Sequence, residues 1–149
     1  MSKKTVIFDL DGTLADIDIR RNKSLKPNGK LDWDIFAAPK SILDWDKPNP
    51  PVIKMAQMFK ADGFKVVIFS GRNDRGFFAT KKWLADNDVP FDLLVLRPDK
   101  FKDKSWPIAD GNPATPDMRF MPDDILKKKM LDTFVDINDV FVVVDDRQK

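Results

Sequence analysis

Four short apolar runs, each halted by a polar or charged residue, set the terms on which this chain can fold. Val6-Ile7-Phe8 stops at Asp9, and Lys65-Val66-Val67-Ile68-Phe69 stops at Ser70-Gly71-Arg72. Asp92-Leu93-Leu94-Val95-Leu96 stops at Arg97-Pro98, and Val140-Phe141-Val142-Val143-Val144 at Asp145-Asp146-Arg147. Runs of β-branched and aromatic residues without polar alternation mark strands buried on both faces, as in a parallel sheet. Between them lie segments of helical spacing. Asn49-Pro50-Pro51 offers a cap and a first-turn proline, after which Val52, Met55, Ala56 and Phe59 share one face until Gly63. Phe77, Thr80, Trp83 and Leu84 repeat the pattern up to Val89-Pro90, and a third helix is predicted from Pro122-Asp123 with Leu126, Met130 and Phe134 inward. Strand and helix in alternation predict right-handed crossovers around a parallel sheet, hence an α/β fold. Ligands of such sheets collect beyond the carboxyl ends of the strands, so Asp9, Ser70, Arg97 and Asp145 are expected to be neighbours.

The 149 residues suffice for one core but not for two ordinary domains, so a single domain over 1–149 is expected. Two connections, 15–48 and 98–121, are longer than usual and read as functional loops or small elements packed over the site. The absence of Cys and His removes thiolate chemistry, disulfides, a histidine base and His-ligated metals together. Carboxylates, hydroxyls, lysines, arginines and an oxygen-loving cation remain. With 26 basic and 24 acidic residues the net charge of +2 names no polyanionic partner, so any phosphate preference must be local. The apolar run before Asp9 is too short for a signal-peptide core or a membrane span, and a cytoplasmic location, without a membrane partner, is expected. Nothing in the sequence points to a protein partner.

The most informative stretch is Asp9-Leu10-Asp11-Gly12-Thr13. Two carboxylates this close repel one another unless a cation or proton lies between them, and a hard divalent ion with oxygen ligands, typically magnesium beside phosphate, meets that need. One carboxylate can attack phosphorus while its neighbour gives and takes protons. Gly12 lets the backbone turn closely around phosphoryl oxygens, and Thr13 offers a hydroxyl or amide contact. Taken alone, such a stretch also fits a solvated turn or part of a calcium loop, and Ser70-Gly71 also fits a plain helix cap.

Phe8-Asp9-Leu10-Asp11-Gly12-Thr13-Leu14 resembles the D-x-D-x-[T/V] signature of the haloacid dehalogenase (HAD) superfamily. The resemblance implies a Rossmannoid three-layer sandwich with a central parallel sheet and a small or absent cap. It makes Asp9 the nucleophile and Asp11 the general acid and base. Asp9, the Asp11 carbonyl, Asp145 and Asp146 would hold magnesium, and Ser70 would donate to a phosphoryl oxygen. Asp123-Asp124-Ile125-Leu126-Lys127 matches the lysine element in the form seen in bacteriophage polynucleotide 3′-phosphatase domains, which selects Lys127 over Lys128 and Lys129. Together with Ser70-Gly71-Arg72, Arg97-Pro98-Asp99 and Asp145-Asp146-Arg147, the chain looks like the phosphatase half of phage polynucleotide kinase/phosphatase. In that reading Arg72 holds a phosphate oxygen and Arg97 approaches the substrate. No G-x-x-x-x-G-K-[S/T] occurs, so no kinase activity is expected. The chain stops soon after Asp146, where relatives continue through a helix and strand, so either a naturally abbreviated form or further sequence beyond this end is expected.

The substrate expected from the resemblance is a nucleotide phosphate, above all a 3′-phosphate at a DNA or RNA end. The basic stretch from Arg20 and Arg21 to Lys30 would follow a nucleic-acid backbone, and Trp33, Phe36 or Trp45 would stack a base. Those aromatics equally fit a small core under a solvated basic loop. A 5′-nucleotidase or small phosphoester phosphatase is the enzymatic alternative, and a phosphate- or end-binding module without turnover is the alternative of another class.

Overall fold

The computed structural model describes residues 3–98 and 116–145. At its centre is strand β1 (Thr5–Phe8), whose four residues are buried. It pairs in parallel with β4 (Lys65–Asn73) on one side and β6 (Val140–Val144) on the other, and β5 (Leu93–Arg97) adds in parallel to β4. The order is β5-β4-β1-β6. Alternate residues of the strands feed two cores. Val6, Phe8, Val66, Ile68, Leu94 and Leu96 pack with α4 (Pro50–Ala61) and α5 (Phe77–Asp86) through Ile53, Ala56, Ala79, Trp83 and Leu84. Ile7, Val67, Phe69 and Val95 face the other way, onto Leu126 and Met130 of α6 (Asp123–Phe134). Helices on both faces of one parallel sheet give the three-layer α/β sandwich expected of a HAD-like Rossmannoid fold.

Two details depart from the sequence reading. Strand β4 does not end at Phe69 but continues to Asn73, because pairing with β5 resumes at Asn73–Arg97 after an irregular step. Ser70, Gly71 and Arg72 therefore lie in the strand and not beyond it. In α4 the buried positions are Ile53 and Ala56, whereas Met55 is largely exposed; the inward face is centred one step away from the expected one.

The connection 15–48 is structured. A two-residue strand, β2 (Ala15–Asp16), pairs antiparallel with β3 (Lys47–Pro48) and closes an insert of three short helices. These are α1 (Asp18–Lys23), α2 (Trp33–Phe36), capped by the Asp32 side chain, and α3 (Pro39–Trp45). Helix α3 lies against α5 and sends Ile42 into the main core. Most of the second long connection, with Trp106, lies outside the described residues. No helix among the described residues is long and apolar enough to cross a membrane.

Candidate active site

Register brings the strand ends together. Phe8 pairs with Ile68 and Val144, and the ladder continues one residue further as the Asp9 amide donates to Val144 O at 2.9 Å. Past Asp9 the chain turns sharply. Leu10 and Leu14 are fully buried and anchor the turn, Gly12 adopts φ +83°, and the Thr13 and Ala15 amides return to Leu10 O. A positive φ is the conformation glycine adopts without a Cβ penalty. Asn49, at the start of α4, ties the turn down by donating its side-chain amide to Thr13 O at 2.8 Å.

The Asp9 carboxylate is nearly buried and has two partners. Lys127 Nζ donates to Oδ1 at 2.6 Å, and Thr13 Oγ1 donates to Oδ2 at 3.3 Å. The same ammonium lies 3.5 Å from Asp145 Oδ2. Burial pushes the Asp9 carboxyl up, Lys127 draws it back, and the nearby Asp145 charge adds to the upward shift, which prevails. Of the three adjacent lysines it is Lys127 that turns inward, following Leu126 around α6, while Lys128 pairs with Asp132 on the outer face.

Asp11 points into different company. Its Oδ1 accepts from Arg72 Nη2, and Arg20 Nη2 lies 3.5 Å from the same oxygen. Arg72 Nη2 also reaches Asp46 Oδ2 at 3.0 Å, Arg20 Nε donates to Asp46 Oδ1 at 2.7 Å, and Arg72 Nη1 donates to Thr80 Oγ1 at 3.0 Å. Arg20 Nη1 is held by Phe36 O, and its guanidinium covers the Phe36 ring at 4.3 Å. Two arginines and two aspartates thus form a charge-balanced buried quartet. Burial alone would raise the Asp11 carboxyl, but the Arg72 and Arg20 charges outweigh it and hold the group below its ordinary range. Arg72 Nε is the buried side-chain donor left without a partner among the described residues.

Two further groups complete the cleft floor. Ser70 Oγ accepts from the Arg72 amide at 3.1 Å, which leaves its own proton available to an acceptor in the cleft. Arg97 acts as a brace: Nε donates to Gly71 O at 3.0 Å, Nη1 to Met118 O and Met121 O, and Nη2 to Asp123. A Cβ at Gly71 would meet the Asp123 carboxylate, so a side chain there would displace the group that Arg97 Nη2 holds.

These groups line one cleft of about 790 Å³, with Trp33 and Phe36 on the insert side and Arg119 and Phe120 on the side leading into α6. Asp9, Asp11, Arg20, Arg21, Ser70, Gly71, Arg72, Arg97 and Lys127 all border it. Thr13 touches it only through Asp9, Asp145 through Lys127, and Asp146 lies outside the described residues. The basic stretch divides at its first two residues. Arg20 is completely buried against Asp46, away from the open surface expected of a backbone-following residue, whereas its neighbour Arg21 is exposed. The aromatics divide as well: Phe36 packs against the core, and Trp33 is 65% exposed. The fork of Arg72, expected on a phosphate oxygen, is engaged by Asp11, Asp46 and Thr80, and Arg97 is engaged by the brace.

Asp46, Thr80 and Asp123 escaped the sequence reading as site residues. Asp46 follows Trp45 in a segment with no recognisable motif, and Thr80 reads as one more core position on α5. The signal that would have found Asp46 is a deficit: a buried arginine needs a buried carboxylate, and the insert had to supply it.

Among the described residues no group of three carboxylates meets in metal-holding geometry. The donor set nonetheless suits a hard divalent cation. Asp9 and Asp145 oxygens already converge on one positive point, the Lys127 ammonium, and offer only oxygen ligands.

Comparison with known proteins agrees with this geometry. Residues 3–149 match the family described as the polynucleotide kinase PNKP phosphatase domain. The fold superposes on a chain of the Pnkp1/Rnl/Hen1 complex with a TM-score of 0.64 and 28% identity, over 99% of this chain and 40% of that one. A chain of the Pnkp1/Rnl/Hen1 RNA repair complex gives a TM-score of 0.63 at 28% identity, over 99% of this chain and 37% of that one. The chain therefore spans well under half the length of these relatives.

Proposed function

Because this chain belongs to the family of polynucleotide kinase PNKP phosphatase domains, phosphoester hydrolases of the HAD type that work with a divalent metal, we propose that it cleaves 3′-phosphates from nucleic-acid ends through an aspartyl-phosphate on Asp9. The observation that carries the reading is the opposite setting of the two carboxylates. Asp9 stands beside Lys127 with its oxygens facing the cleft, and Asp11 is gripped by arginines at the cleft edge.

In the first step an Asp9 oxygen attacks phosphorus, the bond to the leaving oxygen breaks, and that oxygen takes a proton from Asp11. The entering phosphate places negative charge beside Asp11, which offsets the two guanidiniums and raises its affinity for that proton. In the second step Asp11 takes a proton from water, the water oxygen bonds to phosphorus, and the Asp9–phosphorus bond breaks to free phosphate. Lys127 offsets charge on Asp9 and the transferring group throughout, and the Ser70 hydroxyl is a donor that can meet a phosphoryl oxygen. Asp9, Asp145, the Asp11 carbonyl and Asp146 would hold magnesium, which would supply further neutralisation of the phosphoryl oxygens.

A nucleic-acid end suits the cleft because its rim is aromatic and cationic. Trp33 and the 83% exposed Phe120 offer ring faces to a base, and Arg21, Arg75 and Arg119 offer charge to a backbone. The occurrence of relatives in an RNA repair complex favours the same substrate class. Magnesium-dependent phosphate release from 3′-phosphorylated oligonucleotides is expected to exceed that from mononucleotides by at least about tenfold in kcat/KM, as one stacked base contributes. Equal or faster release from mononucleotides would replace this substrate with a small phosphoester.

A further inference from the structure

The geometry points to Asp46 as a positioning residue that keeps one oxygen of Asp11 open for proton transfer. This inference rests on the reading of Asp11 as general acid and base. An arginine beside a carboxylate ordinarily takes both oxygens through its fork. Here two arginines reach Asp11, yet both address Oδ1, and no described residue donates to Oδ2. The donors that would complete a fork are drawn elsewhere. Asp46 Oδ1 takes Arg20 Nε, Asp46 Oδ2 shares Arg72 Nη2, Thr80 takes Arg72 Nη1, and Phe36 O takes Arg20 Nη1.

Asp46 is itself fixed. Its side chain is completely buried, and its carbonyl accepts from Trp83 Nε1 at 3.0 Å. Within the quartet only Asp11 has appreciable side-chain exposure, 26% against 3% or less for the other three, so the assembly opens to the cleft at one carboxylate. Asp46 neutralises two buried guanidiniums and, by where its two oxygens lie, sets their orientation.

Removal of the Asp46 charge would free both guanidiniums to close on Asp11 and occupy Oδ2. The consequence should depend on the leaving group. An oligonucleotide 3′-phosphate expels an alkoxide that needs a proton, whereas p-nitrophenyl phosphate expels a phenolate that does not. The experiment measures kcat on both substrates for the full chain with magnesium, for wild type, D46N and D11N. Taking the ratio of the two rates within one preparation cancels any difference in folded fraction. D11N is expected to shift the ratio against the oligonucleotide by about 100-fold, the size of a general-acid contribution, and D46N by at least about tenfold in the same direction. A selective D11N with an unselective D46N would overturn the role of Asp46 alone. An unselective D11N would overturn the acid assignment and with it this inference. If D46N does not fold, the charge-balanced R20Q/D46N is measured in the same way, and an unchanged ratio there overturns the proposal.

Discussion

The Lys127 side of the centre and the Arg72 side handle charge by different means. On the first, one flexible ammonium serves Asp9 and Asp145 next to the cleft, and burial leaves Asp9 with a raised proton affinity. On the second, rigid guanidiniums hold Asp11 from inside the protein and depress its proton affinity. Two carboxylates two residues apart on one turn are thereby made unlike. A lysine is a mobile point charge that can accompany a group as bonds change, whereas an arginine fork fixes a plane. The contrast teaches that the unlike settings of the two carboxylates, on which the proposed division between attack and proton transfer rests, come from the partners brought from α6, α1 and β4 more than from the turn itself.

The comparison is most severely tested by D9N, which keeps the shape and removes the charge proposed to attack. Turnover of a 3′-phosphorylated oligonucleotide is expected to fall by at least about 10⁴-fold, as for loss of a covalent nucleophile. A tenth of normal turnover at saturating magnesium would mean that the two carboxylates are not divided in this way. K127M should lower kcat by about 10²- to 10³-fold, the usual scale for one charge-stabilising donor, with little loss of stability because the ammonium reaches the cleft. R72K sharpens the other side. A lysine keeps the charge but cannot reach Asp11, Asp46 and Thr80 together, so thermal or denaturant unfolding should show a loss of about 3 kcal/mol, as for a broken buried pair. Similar stability losses for K127M and R72K would erase the distinction.

The smallest effect belongs to a third carboxylate that is well paired but more exposed. Asp92 Oδ2 accepts from the Val66 amide at 2.8 Å and Oδ1 from Lys60 at 2.6 Å; burial pushes its carboxyl up, but these hydrogen bonds and the lysine charges together outweigh it and hold the group below the ordinary range. A depressed folded-state value gives stability that is present above the unfolded carboxylate range, near pH 4, and is lost as pH falls through the folded value. D92N should cost about 1 kcal/mol at neutral pH and nothing at the acid end of that window, read from denaturant curves across pH.

Much of this was legible from residue order. The unbroken apolar runs at Val6, Val66 and Leu93 form strands covered on both faces, and the turn at Asp9 follows from where the first one stops; the run at Val140 departs from that expectation, because it forms the outer strand β6, whose Phe141 and Val143 are more than half exposed. The Asp123-to-Lys127 stretch, by its resemblance to a family element, singles out the lysine that the structure sets against Asp9. What could not be read was pairing across the insert. Arg20 lay in a stretch dense in lysine and arginine, where a solvated face is the ordinary expectation, and only tertiary contact shows that it is the one turned inward. Arg72 lies at the cleft, but the direction of its fork depends on Asp46, 26 residues earlier and without a motif of its own. Strand pairing likewise decided that Ser70 to Arg72 continue β4, since Arg97 offers a partner at Asn73 that local sequence does not reveal.

The two-residue ribbon of Ala15–Asp16 with Lys47–Pro48 has a consequence for how such a protein could be rebuilt. It brings both ends of residues 17–46 to one seam, the kind of junction at which a segment of different length can be grafted without disturbing the sheet. Yet the stretch between carries Arg20 near its beginning and Asp46 at its end. A transplanted segment would take two of the four charges of the Asp11–Arg72 cluster with it, unless those two residues were built back into the graft.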